Sequence, residues 1–159
     1  LTRHTKYDYS MEKIVTLIKM YCSFPAIENI KLFKLVLFNF LVGNEDMHLK
    51  NFSIINRGGI ITLSPCYDLV NTTIEYKKPE EEIALPLKGK KKKLTQNMLI
   101  NYFGKERCEL TPKSIESVLI AISSSVKEWN KLIDISFLSS EMKTKYHDLL
   151  DARLGILKL

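Results

Sequence analysis

The sequence predicts one mainly α-helical domain carrying a small β element that holds its chemistry. Three observations carry that reading. Several stretches repeat apolar residues at helical spacing, and the segment Phe52 to Leu63 reads as two short strands about a glycine pair. Between the most apolar helix and those strands lies a dense polar run, Asn44 to Asn51. With 159 residues the chain has one domain's worth of length, enough to bury roughly 70% of its unfolded surface. Hydrophobic residues at 45% and charged residues at 26% exclude wholesale disorder. No run of 18 apolar residues offers a membrane span, and the polar stretch Leu1 to Tyr9 offers no secretory signal.

The elements follow in order. Ser10 can cap a helix from Met11 to Cys22, whose Ile14, Leu17, Ile18 and Tyr21 share one face. Phe24-Pro25 stops it, because the residue before proline avoids the helical region. A second helix is expected from Ile27 or Glu28 to Val42, apolar on nearly every side and so buried at the centre. Gly43 suits the left-handed position past its end. Phe52 to Ile55 and Ile60 to Leu63 read as strands joined by the turn Asn56-Arg57-Gly58-Gly59. A second strand pair is expected at Ile83 to Leu87 and Lys92 to Leu94, turning at Gly89. Thr95 can cap a helix to Tyr102, Thr111-Pro112 opens one to Trp129, and a last helix spans Ser139 to Ile156.

Net charge is +6, and much of the excess sits in Lys88, Lys90, Lys91, Lys92 and Lys93. Such a cluster reads first as a solvated turn; as a nucleic-acid surface it lacks interleaved aromatics and a nearby reading helix. The three cysteines are far apart and form no C-x-x-C pair, so neither a disulfide framework nor a structural zinc site is indicated, and a reducing cytoplasm suits them.

The chemistry is concentrated in Asn44-Glu45-Asp46-Met47-His48-Leu49-Lys50-Asn51, with Tyr67-Asp68 following the hairpin. Asp46 and Asn51 stand five apart, the spacing of the catalytic-loop aspartate and metal-binding asparagine of protein kinases. There the aspartate accepts the proton of the substrate hydroxyl, the asparagine oxygen turns to Mg²⁺, and a second carboxylate arrives beyond a short hairpin, where Asp68 stands. Hard oxygen ligands are what Mg²⁺ prefers. His48 can hold the loop or hydrogen-bond a phosphate, and Lys50 can reach a phosphate or simply face solvent. Asn44 caps the loop or supports Asp46. His4 and His147 are too distant in sequence to complete a metal set with Asp46 and His48.

The run Phe38-Asn39-Phe40-Leu41-Val42-Gly43-Asn44-Glu45-Asp46-Met47-His48-Leu49-Lys50-Asn51-Phe52-Ser53, followed by Leu63-Ser64-Pro65-Cys66-Tyr67-Asp68-Leu69, resembles the C-terminal region of HipA-type serine/threonine kinase toxins. The likeness extends weakly to Tyr7 and to the stretch Ala84 to Lys90, and so covers most of the chain. It implies a protein-kinase-like C-terminal lobe over residues 1–159 of a bacterial toxin–antitoxin kinase. It implies ATP as phosphoryl donor and an aminoacyl-tRNA synthetase as protein substrate. It also implies a helix-turn-helix antitoxin through which DNA is met indirectly. By position, Asp46 would be the catalytic base, with Asn51 and Asp68 the Mg²⁺ ligands at the nucleotide.

Two departures accompany the likeness. No Gly-x-Gly occurs among the six glycines, and only 45 residues precede Asp46, so the nucleotide-gripping N-terminal lobe is not in this chain. Asp68 is followed by Leu69-Val70 where conventional kinases carry Phe-Gly. Leu1 is not a methionine. The chain is then a trimmed piece of a kinase, one subunit of a split kinase, or a non-catalytic module that binds a partner or an antitoxin. Presence of Asp46, Asn51 and Asp68 together favours the first two, and phosphoryl transfer by this chain alone is not expected.

Overall fold

The computed structural model describes residues 9–75 and 81–159; Tyr7 and His4 lie outside that range. The order is α1 (Met11–Tyr21), α2 (Pro25–Val42), β1 (Ile54–Arg57), β2 (Ile60–Leu63), a π-helix (Asn97–Arg107), α3 (Pro112–Ile135) and α4 (Ser140–Leu157), with 3₁₀ turns at Leu49–Asn51 and Thr73–Glu75. The fold is mainly helical with one two-stranded antiparallel sheet. Among the described residues no helix is long and apolar enough to cross a membrane.

Helix α2 is the axis. It packs on α1, α3, α4 and the π-helix, and its Leu32, Phe33, Leu37, Phe40 and Leu41 are shut from solvent. It begins two or three residues earlier than expected, because Pro25 that ends α1 also fits the first turn of α2, where no N–H is needed. Ser10, Thr111 and Ser139 each accept a backbone N–H as N-caps of α1, α3 and α4. Helix α3 runs on past Trp129 to Ile135, and the Trp129 ring stands edge-on to Phe38 of α2 at 5.5 Å.

The hairpin sits slightly further along than expected. Ile54 pairs with Leu63 and Arg57 with Ile60, so Gly58 and Gly59 alone make the turn, both at positive φ (59° and 86°), as a primed two-residue turn requires. The free edge of β2 is tied to the helices. Ser23 exchanges hydrogen bonds with the Ile61 backbone at 2.8 and 2.9 Å, and buried Glu28 accepts the Leu63 N–H at 2.9 Å.

The expected second strand pair does not form. A single bridge, Leu87 to Lys90, closes a turn in which Lys88 and Gly89 both have positive φ. Ile83, Ala84 and Leu85 are buried consecutively, which a pleated strand with one solvent face cannot do, and Pro86 has no N–H to give a ladder. The stretch serves α1 instead: the Pro86 carbonyl accepts the Met11 N–H, and Glu12 accepts the Lys88 N–H. Thr95 does open a helix, but one of i→i+5 character reaching Arg107. Its buried Met98, Leu99, Phe103 and Gly104, with Cys108 just past its end, recur every four to five residues, suiting the wider turn. Gly104 is required there, since a Cβ would lie 2.7 Å from the Phe33 ring.

Candidate functional site

Helix α2 ends at Gly43 with φ 76°, where a Cβ would meet Leu149 Cδ2 at 2.6 Å and Thr73 Oγ1 at 2.9 Å. No other residue type fits without moving both. The Gly43 carbonyl collects the N–H groups of Thr72 (2.9 Å) and Thr73 (3.1 Å) and the Thr73 hydroxyl (2.9 Å). The chain that leaves the helix at residue 44 thus returns to the same point at residue 72. Both arms of the loop–hairpin–loop excursion start from one anchor.

Asn44, fully buried, lies between those arms. Its Nδ2 donates to Asn39 Oδ1 at 2.7 Å and to the Asp68 carbonyl at 3.0 Å, while its Oδ1 accepts the Asp46 N–H at 3.1 Å. One amide therefore fastens both candidate aspartates. The 3₁₀ turn after His48, closed by Asn51 N–H to the His48 carbonyl at 2.9 Å, turns the buried Asn51 side chain back across the loop. Asn51 Nδ2 donates to Asp68 Oδ2. Asp68 itself is exposed and holds φ at 59°, a left-handed conformation that aspartate tolerates at a cost. Tyr67 steadies that arm, its hydroxyl donating to the Lys50 carbonyl at 2.8 Å.

Asn51 and Asp68, seventeen residues apart, are thus in contact through their side chains, and Asn44 links the main chains of Asp46 and Asp68. Asp46 and His48 are half-buried in the same loop; the Lys50 side chain is exposed. Among the described residues no three His, Cys, Asp or Glu side chains gather to hold a metal ion. Asn51 turns its amide nitrogen to Asp68 here; its oxygen and the Asp68 carboxylate are hard donors of the kind Mg²⁺ prefers. His147 belongs elsewhere: its ring nitrogens lie 2.9 Å from Asn130 Oδ1 and 2.9 Å from Asp134 Oδ1, tying α4 to α3.

Several supporting groups escaped the sequence reading. Glu45 accepts from the Thr73 hydroxyl at 2.6 Å and gives its N–H to Thr72 Oγ1 at 2.9 Å. Burial pushes the Glu45 carboxyl up, with the Thr73 hydrogen bond and the Arg153 charge acting the other way. Arg153, buried on α4, donates to the Phe40 carbonyl at the C-terminal end of α2 and lies over the Phe40 ring at 5.0 Å; burial pulls its pKa down. Asn39 is the one signal the sequence offered for this set, a polar residue inside an apolar helix. A groove of about 550 Å³ between α2, the hairpin and α3 borders the site at Leu69, but its lining includes none of Asp46, Asn51 or Asp68. The lysine cluster is partly engaged: Lys91 pairs with Glu81 at 3.2 Å, and Lys88 Nζ lies 4.9 Å from the centre of the Tyr102 ring. Cys66 is exposed, whereas burial pushes the Cys108 thiol up to about 12.

The HipA-like C-terminal domain family model matches residues 1–129. A chain of the Shewanella oneidensis MR-1 toxin–antitoxin complex of HipA, HipB and operator DNA superposes with a TM-score of 0.74 at 21% identity, over 99% of this chain and 39% of that one. At that identity the likeness shows the fold. A protein of Sinorhizobium fredii (strain NBRC 101917 / NGR234) named "Putative kinase Y4mE" is 44% identical over 48 residues, 30% of this chain and 11% of the relative. The chain thus spans well under half the length of either.

Proposed function

The chain belongs to the HipA-like C-terminal domain family, and on that premise we propose that residues 1–159 are the catalytic C-terminal lobe of a serine/threonine protein kinase of a toxin–antitoxin system. The single observation that carries the reading is the contact of Asn51 with Asp68, whose main chain Asn44 links to that of Asp46. Asp46 takes the proton of the attacking hydroxyl and orients it. The Asn51 side-chain oxygen and the Asp68 carboxylate would hold Mg²⁺, which would neutralise charge on the ATP phosphates. His48 holds the loop through its main chain, its N–H bonded to the Asp46 carbonyl at 2.7 Å and its carbonyl to Asn51, and Lys50 reaches outward toward phosphate. Rate comes from positioning and charge neutralisation.

The remaining parts lie with partners. An N-terminal lobe, in the same gene product or another chain, supplies the phosphate-covering loop and lysine. A helix-turn-helix antitoxin restrains the kinase and meets DNA, and the substrate is a cytoplasmic protein, an aminoacyl-tRNA synthetase by family likeness. Phosphoryl transfer by this chain alone is then not expected, because the loop and lysine that fix the nucleotide are assigned to the N-terminal lobe, and bound geometry supplies roughly 7–11 kcal/mol of such a barrier. The competing reading, a non-catalytic module that binds a partner or an antitoxin, gives no reason for the chain to carry Asp46, Asn51 and Asp68 together. The test is phosphoryl transfer from ATP by the natural protein that carries this chain. Asp46→Asn should lower it on the order of 10²–10⁴-fold with the melting temperature kept, and Asp68→Ala should abolish it in protein that still melts cooperatively, though lower, because alanine is strained at φ 59° and leaves buried Asn51 without its acceptor. Full activity in Asp46→Asn would make the base assignment wrong. Robust turnover by residues 1–159 alone would make this a complete minimal kinase.

A further inference from the structure

We infer that Asn39 is a positioning residue: it fixes the orientation of the Asn44 amide and so sets the main chains of Asp46 and Asp68 relative to each other. The inference rests on the phosphoryl-transfer reading above. Asn39 is 3% exposed, three residues from the end of α2. Its Nδ2 donates to the Leu35 carbonyl at 2.8 Å, one turn back in the same helix. That bond leaves the Asn39 oxygen turned toward Asn44, where it accepts Nδ2 at 2.7 Å. The Asn39 carbonyl also accepts the Asn44 N–H at 2.9 Å, so the two residues are joined by main chain and side chain together.

The consequence is a fixed polarity. With Nδ2 of Asn44 drawn to Asn39, the same nitrogen faces the Asp68 carbonyl and Oδ1 faces the Asp46 N–H. A flipped Asn44 amide would set oxygen against the Asn39 oxygen, oxygen against the Asp68 carbonyl, and N–H against the Asp46 N–H. Three hydrogen bonds would become three repulsions in a site where Asn44 meets no solvent. The Asp68 carbonyl matters particularly, because its residue is held at φ 59° and needs surrounding contacts to stay there. A rigid helix thereby carries the register of both aspartates, and Asn39 is the atom-level link.

The test compares Asn39→Leu and Asn39→Asp in the natural protein, reading ADP release from ATP across a Mg²⁺ titration and correcting for the folded fraction. Leucine keeps the volume and removes the acceptor; aspartate keeps an oxygen for Asn44 and gives up the bond to Leu35. Asn39→Leu should lower kcat on the order of 10²-fold and raise the Mg²⁺ needed for half-maximal rate, since small misplacements cost that much. Asn39→Asp should recover most of kcat, with a wild-type Mg²⁺ requirement, although it melts lower. If both variants lose activity only in proportion to unfolding, with the Mg²⁺ requirement unchanged, the role is merely structural and the inference is overturned. Should Asn39→Leu fail to melt cooperatively, Asn39→Asp decides: retained kcat at lower melting temperature supports the relay, and collapsed kcat in folded protein overturns it. Asp68→Ala is run alongside. Transfer surviving in Asp68→Ala sinks the phosphoryl-transfer reading itself, whereas transfer lost there but untouched in Asn39→Leu sinks only this inference.

Discussion

The helical base and the loop face of this molecule are held together by different physics. In the base, Leu32, Phe33, Leu37, Phe40 and Leu41 of α2 are closed off by apolar neighbours, and Phe33 packs against Phe103 and Gly104 of the π-helix. Such burial is non-directional, so it tolerates exchanges that conserve volume. On the loop face the buried polar groups are Asn44, Asn51 and Thr73, each placed by hydrogen-bond acceptors at fixed positions, with Gly43 and Asp68 in left-handed backbone beside them. There a single lost acceptor leaves a buried polar atom unpaired. The base sets whether the chain folds; the loop face sets what it presents.

Substitutions can break or sharpen that contrast. Leu37→Ala should have the largest effect on stability, a loss of about 2–5 kcal/mol in urea unfolding, because a fully shut leucine leaves a cavity. Activity per folded molecule of the natural protein should stay within a few-fold; a collapse there would mean that base and loop face are not separable. Gly43→Ala should come next. The added carbon must both displace Leu149 and Thr73 and hold a φ of 76°, strain of about 1–3 kcal/mol before any repacking. Gly58→Ala is its control, since it has the same sign of φ but open space around it, and should cost about 1 kcal/mol. Equal losses in thermal melts of the two would show that contact at Gly43 contributes nothing.

The smallest effect concerns Glu45. Burial raises its carboxyl above the usual 4.5, so the folded chain takes up the proton more readily than the unfolded one. The stability this group confers is present in acid and is lost as pH rises from about 4.5 through its folded pKa. Glu45→Gln keeps an oxygen for Thr73 and removes the charge. It should melt at or above the wild-type temperature at pH 7, with the difference closing toward pH 4. A variant less stable at pH 7 would make the attraction to Arg153 the larger force at this position.

Local rules written in the sequence determined much of this. Capping by Ser10, Thr111 and Ser139, the all-apolar run of α2, the glycine turn of the hairpin and the polar loop from Asn44 to Asn51 act within a few residues, and the structure follows them. The meeting of Asn51 with Asp68 could be anticipated, because a short hairpin between them returns the chain to the loop it left. Only the tertiary structure decided the rest. The stretch 83–94 gave up its strands because burial against the core and hydrogen bonds to α1 outbid a short ladder, and the helix after Thr95 widened to fit Phe33. Asn44 meets Asp68 across 24 residues, and Arg153 meets the Phe40 carbonyl across 113. Partners that far apart are chosen by how helices pack, and periodicity along the chain carries no record of which buried polar group will face which.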